Sequence, residues 1–145
     1  MTTAGYLRYP HIHGDLITFT AEDDVWLAPA TGGRAWKLSA DGAGVSYPRF
    51  SPSGHKVAWT SWRDRDPEVY TIDAEGGGAG RLTYWGDLQT RTAGWLSDTE
   101  VLAISAVGQP ARQAGLEFLG LFGLVGHCVA YISDGHPTAT PSESW

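Results

Sequence analysis

The sequence predicts an all-β chain of four-stranded antiparallel meanders, about two and a half of them in succession. Three observations carry that expectation. Short apolar alternations are separated by tight-turn residues, and the order of strands and turns recurs at intervals of 40 to 45 positions. The composition agrees: 19 Gly, seven Trp and six Tyr among 145 residues suit short strands joined by sharp turns.

The first unit, residues 6–39, opens with Tyr9-Pro10-His11-Ile12, turns at Gly14-Asp15 and continues as "LITFTA". A turn at Glu22-Asp23-Asp24 leads into "VWLA", the Thr31-Gly32-Gly33 turn follows, and "AWKLS" supplies the fourth strand. The second unit, residues 45–83, repeats that order: "YPRFSP", a Pro-Ser-Gly turn, "KVAWTSW", a charged turn "RDRDP", "EVYTID", a glycine-rich turn and "RLT". Period two places Val57 and Trp59 on one face, and Val69 and Thr71 on one face with Tyr70 and Ile72 on the other. Tyr9 to Tyr47 is 38 positions, Gly14 to Gly54 is 40, and Val25 to Val69 and Leu38 to Leu82 are both 44. A third unit starts at "TAGWLSDTEVLAISA" and is followed over residues 92–110.

A repeat of about this length with four strands is the pattern of a β-propeller blade. A single antiparallel sandwich or barrel also places short strands at regular intervals. The recurrence of four elements together with their turn chemistry favours the propeller. A closed ring takes four to eight blades, so the expectation is an incomplete propeller whose flanking faces need partners. After Gln109-Pro110 no third or fourth strand of the open blade is evident. Residues 111–145 read as a divergent tail, with a short apolar segment broken by Gly120 and Gly123 and an end of disordered composition, "DGHPTATPSESW".

With 10 basic and 16 acidic residues the net charge is −6, which argues against nucleic acid as a partner. Cys128 is the sole cysteine, so neither an intrachain disulfide nor a cysteine zinc cluster can form, and a reducing compartment is expected. The N-terminus lacks the pattern of a secretory signal. The apolar run "GLEFLGLFGLVG" is too short to span a bilayer, so no membrane association is expected.

No residue set reads as catalytic, metal-binding or cofactor-binding. His11 and His13 share a strand face, as two zinc ligands would, but a third ligand is not evident and solvent-facing histidines are the expectation. Ser51 and Ser53 in "FSPSG" belong to a turn, and no Gly-x-Ser-x-Gly elbow occurs. Gly76-Gly77-Gly78-Ala79-Gly80 precedes a strand, not the helix a phosphate loop needs. "RDRDPE", from Arg63 to Glu68, reads as an exposed turn of self-compensating charges, and Asp15, Asp23, Asp24 and Asp73 as turn residues.

The ordered segments "YLRYPHIHGDLITFTAEDDVWLAPATGGRAWKLS", "YPRFSPSGHKVAWTS", "PEVYTIDAEGG" and "LTYWGDLQTRTAGWLSD" resemble the N-terminal propeller region of tricorn proteases, from about Tyr6 to Pro110. The F-S-P-x-G turn alone is shared with the propellers of prolyl-oligopeptidase-type peptidases and of the Tol system. The resemblance implies a large cytoplasmic serine peptidase that cuts oligopeptides and assembles as a homohexamer, with propellers that guide peptides and a separate catalytic region. No position here matches the family's catalytic residues, so the chain is expected to be a non-catalytic, peptide-guiding scaffold, inactive alone. The alternative is a free-standing interaction module that self-associates or joins a separate catalytic chain.

Overall fold

The computed structural model describes residues 6–106 and 128–133. Among these residues eleven strands form three antiparallel sheets, each corresponding to one repeat. In the first sheet β1 (Arg8–His13), β2 (Leu16–Ala21), β3 (Asp24–Pro29) and β4 (Trp36–Lys37) pair in chain order. The second repeats it with β5 (Val45–Phe50), β6 (Lys56–Asp64), β7 (Asp66–Asp73) and β8 (Gly80–Arg81). In the third, β10 (Glu100–Ser105) lies between β9 (Arg91–Ser97) and β11 (Cys128–Ser133). β1 packs on β5 and β5 on β9, so the first strands of the three sheets stand side by side, as the inner strands of propeller blades do.

β11 corrects the expectation that no third strand follows Pro110. It pairs antiparallel with β10 from Glu100↔Ser133 to Ser105↔Cys128. The apolar segment around Gly120 and Gly123 and the final stretch "DGHPTATPSESW" lie outside the described residues.

The echoed Tyr-Pro has a structural cause. In β1 the register steps from Arg8↔Thr20 to His11↔Thr18, and in β5 from Ser46↔Thr60 to Arg49↔Ala58. Two residues, Tyr9-Pro10 or Tyr47-Pro48, therefore oppose a single residue, Phe19 or Trp59: each inner strand carries a β-bulge. Proline, with no amide to donate, suits the unpaired position. The tyrosines take left-handed backbone angles, φ 53° and 54°, and their rings meet with centroids 4.6 Å apart. Left-handed residues also close the β2–β3 hairpin, where Glu22 and Asp23 have φ 49° and 61°, the geometry of a type I′ turn.

The apolar core lies between sheets, not within one. Val25, Leu27, Leu38, Val45, Phe50, Val57, Trp59, Tyr70 and Ile72 form the layer between the first two. The strand faces inferred from period two are realised: Val57 pairs with Ile72 and Trp59 with Tyr70 on one face of the second sheet. The opposite face offers Ala58 and Val69, which pack with Val101 and Ala103 of the third sheet under Leu82, Trp85 and Trp95. Burying each large apolar side chain contributes roughly 1.5–3 kcal/mol, so the blades depend on their neighbours for stability.

Candidate functional site

Each of the first two blades hands the chain to the next through a buried carboxylate. Asp24, 3% exposed at the head of β3, accepts hydrogen bonds at Oδ1 from the Ser39 hydroxyl (3.1 Å) and the Asp41 amide (2.6 Å), while Lys37 Nζ lies 2.7 Å from Oδ2. That hydrogen bond and charge hold the Lys37 ammonium above its usual pKa. Ser39 Oγ in turn accepts from the Val25 amide at 2.9 Å. In the second blade Glu68, 1% exposed, accepts from the Thr83 hydroxyl and from the Gly86 amide (2.8 Å), and Arg81 lies 3.1 Å from Oε1. Thr83 Oγ1 accepts from the Val69 amide at 2.8 Å. Asp24 and Glu68, Lys37 and Arg81, Ser39 and Thr83, and Gly42 and Gly86 are each 44 positions apart.

Asp24 and Glu68 are therefore not exposed turn residues, as the sequence reading expected. The carboxylates offset their burial by accepting from amides, hydroxyls and a cation together. The readable signal was a basic-Leu-hydroxyl triplet, "KLS" and "RLT", set 44 positions apart like the acid-Val pairs before it. Past each hub a second aspartate reaches into the next blade. Asp41 accepts from Trp59 Nε1 (2.6 Å) and pairs with Arg63; Asp87 accepts from the Ser105 hydroxyl (2.6 Å) and the Ala106 amide (2.5 Å).

"RDRDPE" is accordingly divided. Arg65, with φ 55°, forms the exposed turn, while Arg63 pairs with Asp41, Asp64 with Arg81, and Glu68 is buried. Tyr70 donates to Asp64, and its phenol is pushed up to about 12 by burial first and by this partner second.

The histidine pair is also corrected. His11 and His13 are half-buried and clasp the first blade to the second. Phe50 donates its amide to His11 Nδ1 (3.1 Å), and His13 Nε2 lies 2.8 Å from the Pro52 carbonyl oxygen. Both rings pack on Phe50, with centroids 6.0 and 5.8 Å away. Burial, then the charges of Arg49 and His13, lower the His11 pKa from its ordinary value. Ser51 and Ser53 hold the expected turn: the Ser51 hydroxyl accepts from the Lys56 amide, and Ser53 donates its own amide to Asp98 of the third blade at 2.9 Å. The glycine cluster joins β7 to β8, with Gly76 and Gly77 at φ 101° and 124°. Asp15, Asp23 and Asp73 lie in or beside turns, and Lys56 approaches Asp73 at 3.8 Å. Among the described residues no group of three His, Cys, Asp or Glu is placed to hold a metal ion.

The inner strands frame a groove of about 420 Å³ that sequence reading did not find. It is lined by the starts of β1, β5 and β9, including Arg8, Tyr9, Tyr47 and Arg91, by Trp62 at the end of β6, and by Leu88 to Thr90 of the linker into the third blade. No carboxylate lines it. Neither Arg8 nor Arg91 has an ion-pair partner among the described residues. Arg8 lies instead over the Tyr6 and Tyr9 rings, 5.7 Å from each centroid.

Adjacent four-stranded meanders with their first strands together define a portion of a β-propeller. The chain belongs to the tricorn protease family, specifically to its N-terminal β-propeller domain: the family described as "Tricorn protease N-terminal beta propeller domain" matches residues 4–118. It is 61% identical over 104 residues to tricorn protease homolog 1 of Streptomyces coelicolor, an alignment covering 72% of this chain and 10% of that protein. It is 37% identical over 112 residues to a Sulfurisphaera tokodaii protein whose name proposes an N-terminal subunit of a tricorn-like protease, covering 75% of this chain and 57% of the relative. Among solved structures, the crystal structure of the tricorn protease superposes with a TM-score of 0.64 at 28% identity, covering 73% of this chain and 11% of that one. The chain thus spans about a tenth of the Streptomyces relative.

Proposed function

We propose that this chain is the non-catalytic, peptide-guiding N-terminal propeller portion of a tricorn-like cytoplasmic serine protease that degrades oligopeptides. The observation that carries this reading is the placement of a 420 Å³ groove on the inner strands of a tricorn-family propeller. Ligand sites are characteristically concave and of about this size. In this reading the partial propeller is the unit the sequence predicts over residues 1–110, and β11 (Cys128–Ser133) adds to its third sheet. The hydrolytic serine belongs to a separate region, and the propeller contributes capture and direction of the peptide.

The reading is tested by mixing the purified chain with a tricorn-family protease lacking its first blades. Co-elution on size exclusion and a lowered KM for oligopeptides are expected. Failure to associate, or peptide hydrolysis by the purified chain alone, contradicts it. A second reading, a free-standing interaction module that self-associates or joins a separately encoded catalytic chain, is favoured by one observation. The Sulfurisphaera relative is named as a subunit, and this chain covers over half of it. A strictly monomeric chain that binds no catalytic partner contradicts that reading.

A further inference from the structure

We propose that the outward flank of the first blade docks on the outward flank of the third blade of a second copy of this chain, so that two copies close one ring. The inference rests on the self-association reading and specifies its geometry. The repeat itself records what each flank meets. In the second blade Phe50, Val57, Trp59, Tyr70 and Ile72 make the face turned to the first blade, and each is at most 4% exposed. Their counterparts in the first blade are Ile12, Ile17, Phe19, Trp26 and Ala28. The pairs Ile12↔Ile17, Ile17↔Ala28 and Phe19↔Trp26 put these five side chains on one face, while Val25 and Leu27 occupy the other and pack on the second blade. Ile12 is 60% exposed, Ile17, Trp26 and Ala28 are half-buried, and Phe19, although buried, joins neither core cluster.

The third blade offers the matching face. In β10 Val101 and Ala103 pack on the second blade, so Leu102 and Ile104 alternate to the opposite side. They stand 44 positions after Ala58 and Thr60, which are buried against the third blade, whereas Leu102 and Ile104 are only half-buried. The three sheets thus present two unlike apolar faces, of the two kinds that meet at each internal interface. Unlike faces associate head to tail, giving a ring where the rotation closes and a filament where it does not. Propellers close with four to eight blades. One copy carries three sheets, two copies make six and three would make nine, so two is the number that falls within that range. Both contacts of such a pair are the same by its two-fold axis, and each covers apolar side chains that otherwise face water.

The experiment is sedimentation equilibrium of the full chain over a concentration series, joined by one variant on each flank. The mass of the unaltered chain is expected to rise from that of one copy to that of two and to stop there. Ile12→Glu and Ile104→Glu should each raise the dissociation constant about tenfold or more, since each carries a charge into an apolar contact. Mixing the two variants leaves one sound contact of the two, so a mixed pair should form more tightly than either variant pairs with itself. Ile12 is exposed, so its variant is expected to stay folded, which circular dichroism checks, and the series on the unaltered chain depends on no variant. A chain that is monomeric at every concentration overturns the proposal together with self-association. A mass that keeps growing upholds self-association and overturns the closed pair. A dimer that Ile12→Glu breaks and Ile104→Glu does not, without rescue on mixing, joins like flanks and overturns the head-to-tail geometry.

Discussion

The interface between the first and second blades and that between the second and third are built from the same repeat but hold differently. The first buries large side chains, Leu27, Phe50, Trp59, Tyr70 and Ile72 among them, and adds the His11 and His13 clasp to the Phe50 amide and the Pro52 carbonyl. Among the described residues the second fully buries only small ones, Ala58, Val69, Val101 and Ala103, with Leu82, Trp85 and Trp95 partly buried against them, and it adds polar contacts. Thr60 and Thr92 bond side by side (3.2 Å), Trp95 Nε1 donates to the Arg49 carbonyl (2.9 Å), and the Ser53 amide donates to Asp98. Apolar burial scales with area, whereas a neutral hydrogen bond nets only about 1 kcal/mol because water competes for both partners. Fully buried large side chains are thus concentrated, among the described residues, between the first two blades, and substitutions there are expected to cost more than those at the second interface.

Substitutions can break this contrast, beginning with the largest effect. Trp59→Ala empties the first interface and leaves Asp41 without its indole donor; a loss of about 3–5 kcal/mol is expected in urea unfolding. Val101→Ala at the second interface removes far less volume and should cost about 2 kcal/mol, from roughly 0.8 kcal/mol per methylene-sized group plus the cavity. Equal losses would dissolve the asymmetry.

Next in size are the two carboxylate hubs. Glu68→Ala should cost about 3 kcal/mol, because it strips partners from the Thr83 hydroxyl and the Gly86 amide and leaves Arg81, one quarter exposed, with Asp64 as its remaining carboxylate. Asp24→Ala should cost nearer 2 kcal/mol, since Lys37 is 45% exposed and is solvated when its partner is lost. Thermal or urea unfolding of both variants measures the difference; a larger loss for Asp24→Ala would contradict it.

The clasp gives a smaller effect. Gly54 has φ +78°, and a Cβ there would run into the His13 ring, so Gly54→Ala should destabilise by about 1–2 kcal/mol. Adding His13→Ala should relieve the steric part of that loss in a double-mutant cycle, leaving the backbone strain. Full additivity would show that the ring is not the obstacle.

The gentlest probe is pH. His11 Nδ1 must be unprotonated to accept the Phe50 amide, and its pKa in the fold is lowered. The unfolded chain therefore takes up this proton first as pH falls. The stabilisation is complete above the ordinary value of 6.5 and is lost as pH drops from there through the lowered folded value. His11→Gln should flatten this part of the stability profile, and an unchanged slope would sink the clasp.

How much of this was legible follows from distance along the chain. Strands and blades were readable because their signals are local: Tyr-Pro, the glycine turns and period-two alternation each occupy a few adjacent residues. The bulge behind Tyr-Pro was not, since it is defined by the register against Phe19 and Trp59. Asp24 and Glu68 looked like turn residues because each sits at a strand head, and their burial depends on Lys37 to Gly42 and Arg81 to Gly86 folding back. β11 escaped notice because the segment between Ser105 and Cys128 is longer than the hairpin loops of the first two blades. The groove was the least legible feature, since Arg8, Tyr47 and Arg91 come from three successive blades and meet only when the inner strands do.

The measurement that tests the account most directly is equilibrium dialysis of oligopeptides against the full chain, with mass spectrometry of the recovered peptide. The account predicts that peptide is retained on the protein side and recovered intact, as a scaffold that captures without cutting requires. Recovery of cleaved peptide, or no retention at any concentration up to the millimolar range, would contradict it.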